Sequence, residues 1–278
     1  KEVVSKTGVS FKHLFKVLDE EELARIEVED EETLVVTDFP YNVDRARKNK
    51  YTTLPMGMLV SSKNYFLTIC SKEHHLLDPF KESKIREFYT DRKTRFVVQI
   101  LLQVAISYLD ELKVINKDIT SREKILYKTT ENKELLNLLN IEKSLVYFIT
   151  SLRENEAVLE RLEKGEILPL YKEDLSLIHD AIIENRQGID MANIYREILT
   201  SMTDTYATII SNNLNRIMKF LAGITIVFSI PTMIASFMGM NVPLGSFGSH
   251  SFSFFFIIIV SFLFAILIAW ILKRKNML

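Results

Sequence analysis

The chain is poor in residues that cross-link or interrupt structure. There is one cysteine, Cys70, among 278 residues, so no disulfide framework exists. Its place in an apolar run reads as a buried structural thiol. Eight glycines and six prolines leave long stretches without a helix breaker. Charge of one sign is also lacking: 35 basic groups face 36 acidic ones. Bulk charge therefore excludes a nucleic-acid binder. No nucleophile–base pair, phosphate-binding glycine loop or zinc-ligand spacing occurs, so neither an enzyme nor a small-molecule substrate is expected. The adjacent His74 and His75 diverge in direction and read as loop residues rather than metal ligands. No signal peptide opens the chain, which begins Lys1-Glu2-Val3-Val4 without a methionine, and a longer natural N-terminus is expected.

The largest deficit is local. From Phe220 to Leu272 there is no Asp, Glu, Lys or Arg, although 26% of the chain is charged. This segregation predicts a soluble domain followed by a membrane domain. Two uncharged 19-residue runs, Phe220–Met238 and Phe254–Leu272, each suffice for a bilayer core of about 30 Å at about 1.5 Å per residue. Arg216 and Lys219 precede the first run, Lys273, Arg274 and Lys275 follow the second, and the loop between has no basic residue. The positive-inside rule then places both termini in the cytoplasm of a cell-membrane protein surrounded by lipid.

Polar residues around the first run keep one phase. Asp204, Thr208, Ser211, Asn215, Met218, Ala222, Thr225, Ser229, Thr232, Ser236 and Gly239 follow at alternating steps of four and three. On one helix they share a face. Hydroxyls on a membrane helix can return to the i−4 carbonyl or join two helices. Here the stripe continues through Asn215 to a carboxylate at Asp204 and ends at Gly239-Met240-Asn241. A face polar along its whole length suits a water-filled path. One helix cannot enclose such a path, so several copies must surround an axis. Met218, Leu221 and Ala222 make the apolar gap in this lining, where closure by dewetting is expected.

Taken in order, residues 1–18 read as a helix, and the acids between Asp19 and Glu32 read as a solvated face. Strands are predicted at Thr33–Phe39, Tyr51–Val60 and Tyr65–Cys70, the last two joined through Ser62-Lys63-Asn64. Helical spacing then runs from Thr94 to about Tyr127 and from about Asn132 to Lys164, predicting two long antiparallel helices joined near Thr129-Thr130. A third helix begins near Lys172-Glu173-Asp174 and is expected to run unbroken into the membrane, with a kink or a water-satisfied carbonyl at Pro231. The fold class is α+β: a cytoplasmic α/β domain over 1–93, a long-helix and stalk region over 94–219, and a two-span pore domain over 220–278.

Gly239-Met240-Asn241 at the outer end of the first of two C-terminal spans, with Pro231-Thr232 before it and an uncharged loop after it, resembles the CorA family of divalent-cation channels. Glu184-Asn185-Arg186, Met191-Ala192-Asn193-Ile194-Tyr195, Asn132-Lys133-Glu134-Leu135-Leu136 and Glu142-Lys143-Ser144-Leu145 are similar to its Gram-positive bacterial members. The resemblance implies a homopentameric magnesium channel, with Co²⁺, Ni²⁺ or Zn²⁺ as alternative cargo. Met240 favours magnesium, since zinc-associated relatives tend to carry valine there. By the resemblance, Asn241 contacts hydrated Mg²⁺, Asn215, Met218 and Leu221 form the inner constriction, and Asp204 holds a regulatory Mg²⁺ between subunits. The acidic partner expected for Asp204 is replaced by Phe15-Lys16, with Glu20 and Glu21 nearby. Copies of Lys273, Arg274 and Lys275 would form a basic ring. Family chains begin with further strands ahead of Lys1. A membrane-anchored scaffold without transport would need neither the stripe nor the motif.

Overall fold

The computed structural model describes residues 11–29, 32–43, 50–61, 65–126, 132–240, 245 and 252–275. It divides into two units, residues 1–203 and 204–278.

The first unit is built on a four-stranded antiparallel meander. Strands β1 (Arg25–Glu29), β2 (Glu32–Asn42), β3 (Tyr51–Ser61) and β4 (Phe66–Cys70) lie in sequence order. Leu34 pairs with Leu59 and Phe39 with Leu54. β2 and β3 are buried almost throughout, which explains their near-continuous runs of β-branched and large apolar residues. Helix α1 (Phe11–Val17) sits on one face: Val17 packs with Leu34, Val36 and Leu59. A Cβ on Gly57 would stand 2.7 Å from a Val17 methyl, so β3 carries glycine there.

A short helix α2 (Asp78–Lys81) follows β4, and the other face of the sheet meets α3 (Lys93–Leu126) and α4 (Asn132–Glu163). Tyr108 of α3 meets Phe148 of α4 edge-to-face at 5.0 Å, and Tyr51 of β3 meets the same ring at 5.6 Å. Arg122 reaches Glu134 at 2.8 Å across the α3–α4 pair. The join near Thr129-Thr130 lies outside the described residues, as does Ser62-Lys63-Asn64.

Helix α5 (Lys172–Met238) is a single helix of 67 residues and passes through Pro231. Its first turn is held by a buried ion pair, Arg95 to Asp174 at 2.8 Å, and Asp174 also accepts the Tyr171 N–H. Further along the same helix, Asn185 donates to the Leu152 carbonyl at 2.8 Å. Gly188 lets the helix approach α4 closely, since a Cβ there would lie 3.2 Å from Leu152. The long helices thus follow the apolar periodicity closely. β1 departs from expectation. The acidic stretch read as a solvated face holds an edge strand, because Ile26 is buried while Glu27 is neutralised by Lys16 and Arg25 at 2.9 and 2.8 Å. Cys70 is half-buried, and burial pushes its thiol pKa up.

In the second unit, the remainder of α5 is followed by α6 (Phe252–Arg274). Both helices are long and apolar enough to cross a membrane.

Candidate functional site: a polar helix face

Every stripe residue from Asp204 to Gly239 is exposed, including the apolar Met218 and Ala222. The covered positions of this helix stretch lie mostly two residues on from the stripe. Tyr206 is buried, and Ile210, Asn213, Ile224, Val227, Pro231 and Ile234 are half-covered; Gly223, beside Ile224, is buried as well. A two-residue offset is about 200° of helical rotation, so the covered face stands opposite the stripe. On α6, Ser253, Ile257, Ser261, Ala265, Ile268 and Leu272 are the correspondingly covered set, at steps of three and four. Its remaining surface is largely exposed and rich in Phe, Ile and Leu, as a lipid-facing helix would be.

The hydroxyls are turned back on their own helix. Thr225 donates to the Leu221 carbonyl at 2.9 Å, Ser229 to Ile226 at 2.9 Å and Thr232 to Phe228 at 3.0 Å. Thr208 does the same to Asp204 at 3.0 Å. This is the local bonding that Ser and Thr adopt in helices. Its consequence matters here: the hydrogens are spent inside the helix, and the oxygen lone pairs are what the face presents. A groove of about 680 Å³ runs along this face, bounded by Thr225, Ser229, Thr232 and Ser236 with Phe228, Met233 and Phe237 beside them. The three flanking residues were not among the expected pore-lining set. Their signal is positional, each standing one residue beyond a stripe position or one before it.

Below the hydroxyls, Asn215 is exposed, and Met218 and Leu221 are 62% and 55% exposed. Asp204 is also exposed and makes no ion pair with any described residue. Within the first unit, Lys16 is held by Glu27 at 2.9 Å and Glu20 by Lys72 at 2.7 Å. Gly239 closes the helix, its N–H reaching the carbonyls of Ala235 and Ser236 at 3.0 and 3.2 Å. A Cβ at Gly239 would meet nothing nearer than 3.6 Å, so the chain's own backbone does not demand glycine there. Met240 is exposed, and Asn241 lies outside the described residues. At the far end of α6, Lys273, Arg274 and Lys275 are exposed, with the Arg274 guanidinium 5.1 Å from the centre of the Trp270 ring.

A soluble α/β unit whose last helix continues as an apolar span, followed by one more span, defines a membrane protein of the two-span class. The chain belongs to the family described as CorA-like Mg²⁺ transporter protein, whose model matches residues 2–274. It is 26% identical over 98% of its length to the cobalt/magnesium transport protein CorA of Methanocaldococcus jannaschii, covering 85% of that protein. It is 24% identical over 66% of its length to the protein of the same name from Thermotoga maritima, covering 53% of it. Among solved structures it is similar to the complete CorA magnesium transporter of M. jannaschii, with 26% identity and a TM-score of 0.88 over all of this chain and 87% of that one. The family is one of transport proteins, and the α+β fold with its long helix entering an apolar span agrees with that structure.

Proposed function

We propose that this chain is the subunit of a homopentameric channel that admits Mg²⁺ into the cell, with the α5 stripe lining its axis. The observation that carries the reading is the uninterrupted exposure of the stripe opposite a covered face, with hydroxyl lone pairs outward. Hydrated Mg²⁺ dehydrates reluctantly and presents only water hydrogens to its surroundings. A row of acceptors matches that surface without stripping the ion.

In this reading Gly239, Met240 and Asn241 form the outer selectivity motif, and Asn241 holds hydrated Mg²⁺ through its amide oxygen. Asn215, Met218, Leu221 and Ala222 form the inner constriction, which closes by dewetting. Asp204 is the regulatory position: a bound divalent ion relieves the repulsion between its copies and favours the closed ring. Lys273, Arg274 and Lys275 form a basic ring on the cytoplasmic side, where both termini lie. The division of labour is a cytoplasmic α/β domain over 1–93, a helical stalk region over 94–219 and a pore over 220–278, embedded in cell-membrane lipid. Co²⁺ is the second cargo, favoured by the name of the M. jannaschii relative; Ni²⁺ is a weaker third.

The test is ion uptake into liposomes with Mg²⁺, Co²⁺, Ni²⁺ and Zn²⁺ compared, alongside mass measurement of the assembly. Asn241→Ala is expected to assemble normally and to lose Mg²⁺ uptake. Wild-type uptake by that variant, or conduction by a stable monomer, overturns the proposal.

A further inference from the structure

The sheet meets α4 through a buried carboxyl group that the transport reading leaves unused. Asp38 lies on β2, is 6% exposed, and pairs with Pro55 of β3, which brings no N–H to the Asp38 carbonyl. That carbonyl accepts from the Tyr108 hydroxyl of α3 at 3.2 Å and from the Asn155 amide of α4 at 2.7 Å. The side chain is less well served. Its Oδ2 accepts from the Ser151 hydroxyl of α4 at 2.8 Å, and its Oδ1 has no hydrogen-bond partner.

No described lysine, arginine or histidine pairs with this carboxyl. β1 ends short of it at Arg25, whose guanidinium is held by Glu22 and Glu27. The charged group that Asp38 feels is another acid, half-buried Glu154 of α4, whose own pKa burial raises although the Ala24 N–H bonds it. From α3, Tyr108 faces it as a neutral phenol, its pKa raised by burial and by Asp38 itself. β3 contributes Thr53 and Pro55, neither of them titratable. A carboxylate in such a place is stranded, whereas the neutral acid is not.

A row of oxygens leads outward from Asp38. Ser151 also meets the Thr53 hydroxyl at 2.9 Å, and Thr53 is half-buried. With Asp38 ionised, the one Ser151 hydrogen points to Oδ2, so Ser151 accepts from Thr53. With Oδ2 protonated, the row runs the other way, from Asp38 to Ser151 to Thr53. The next residue of α4 faces α5. The Leu152 carbonyl accepts the Asn185 amide at 2.8 Å, and a Cβ on Gly188 would lie 3.2 Å from the Leu152 side chain. One turn of α4 thus touches the buried carboxyl on one side and the long helix α5 on the other.

We propose that Asp38 is a reversible proton site, reached through Thr53 and Ser151, whose charge sets how firmly α4 grips both the sheet and α5. A proton from water joins the Thr53 oxygen as Thr53 passes its own hydrogen to Ser151 and Ser151 its own to Oδ2. Each hydroxyl ends with one hydrogen, and nothing else is consumed. The neutral acid leaves the bridge closed. The ionised form, with Glu154 beside it and no cation, draws water towards Oδ1 and loosens the turn of α4 around Ser151, Leu152 and Asn155. Burial and Glu154 raise the Asp38 pKa to about 6, so the change of state falls between about pH 5 and about pH 7. On the channel reading above, on which this consequence alone rests, acid stiffens the stalk and so controls transport.

The experiment is hydrogen–deuterium exchange of the full chain in non-ionic detergent, in steps from about pH 5 to about pH 7.5 and corrected for the intrinsic pH dependence of exchange, with infrared spectra alongside. Over this range the protection of segments 151–155 and 185–188 is expected to fall about tenfold in the wild type, as follows from a carboxyl pKa of 3.8 in the open form and about 6 in the closed one. Asp38→Asn keeps the shape and stays neutral. It should hold the acid-side protection throughout and lose intensity in the infrared band of protonated carboxyl groups. The midpoint should move down in Glu154→Gln, which removes the opposing charge, and up in Ser151→Ala, which removes the bond that favours the ionised form. A merely structural role would not move it in opposite directions. Protection of segment 185–188 that ignores pH, or a pH response or acid band unchanged in Asp38→Asn, overturns the proposal. None of these readouts uses transport, so the proton site is judged apart from the channel. Mg²⁺ uptake by wild-type liposomes at a rate that ignores internal pH overturns the control of transport and leaves the channel reading intact.

Discussion

The buried polar side chains of the first unit and the exposed stripe of the second spend their hydrogen bonds differently. In the first unit exposed Thr120 and Thr150 also bond back into their own helices, but buried Ser151, Asn155 and Asn185 find partners on other elements. Asn155 of α4 accepts the Asp38 N–H and the Thr37 hydroxyl at 2.9 and 2.8 Å and donates to the Asp38 carbonyl at 2.7 Å. Ser151 donates to the Asp38 carboxylate at 2.8 Å and also meets the Thr53 hydroxyl at 2.9 Å. In the second unit, the stripe hydroxyls bond only into their own helix and leave their outer surface open. Polar groups that bridge elements fix a tertiary structure. Polar groups that close on their own helix tie no second element to it and keep their oxygens on the open face.

This contrast breaks most visibly at the start of α5. Asp174→Ala removes the buried anion of the α3 residue Arg95 and leaves that guanidinium only the exposed Glu87 carboxylate, and a loss of about 3–5 kcal/mol is expected in denaturant unfolding. Asn155→Ala removes three bonds and strands the Asp38 N–H and the Thr37 hydroxyl, for a loss of about 2–4 kcal/mol. A loss below about 1 kcal/mol would mean that water replaces Asn155, and that the sheet–helix bridge is looser than its geometry.

Asp38 sharpens the comparison through pH. Desolvation, partly opposed by the Ser151 hydrogen bond and aided by Glu154, raises its pKa from 3.8 to about 6. One carboxylate oxygen has no hydrogen-bond partner. The native state therefore holds a proton that the unfolded chain releases between these values. Its favourable contribution is present below the unfolded pKa and is lost as pH rises through the folded one. Asp38→Asn should match wild type below the unfolded pKa and exceed it by about 3 kcal/mol above the folded one. Melting of both proteins across that window checks the sign as well as the size.

The stripe should give the smallest stability change of all. Thr225→Val, Ser229→Ala and Thr232→Val, singly, are expected to stay within about 0.5 kcal/mol of wild type. Mg²⁺ uptake by the triple variant should nevertheless fall clearly, because the acceptors facing the ion's waters are gone. Gly239→Ala belongs with them: the chain has room for the methyl, so unchanged melting with impaired uptake is expected. Equal loss of stability and uptake would move these residues into the structural class.

The helices were legible because each rests on one strong signal. Apolar periodicity located α3 and α4 to within a residue or so, the acids at Lys172-Glu173-Asp174 and the scarcity of breakers located α5, and the uncharged runs located the spans. The stripe was legible for the same reason, since a single helix brings residues together by spacing alone. β1 was not, because its acids are neutralised by Lys16 from α1 as well as by neighbouring Arg25, and a charge count cannot anticipate a partner from another element. The Asp38–Ser151–Asn155 bridge was hidden likewise. It joins residues more than a hundred positions apart, and nothing in their local sequence marks the meeting. Asn241 falls outside the described residues, so its role rests on the motif alone.

The hydroxyl bonds back into α5 carry one more consequence. With their hydrogens committed, these oxygens repeat one electrical polarity along the groove. A hydrated anion turns the oxygens of its shell outward and would meet lone pair against lone pair at each step. Freeing a hydrogen to greet it would cost a hydrogen bond within the helix at every residue passed. On the proposed pore reading the face would disfavour anions through the orientation of neutral dipoles, a discrimination expected to persist at high salt, where a ring of fixed charges would be screened.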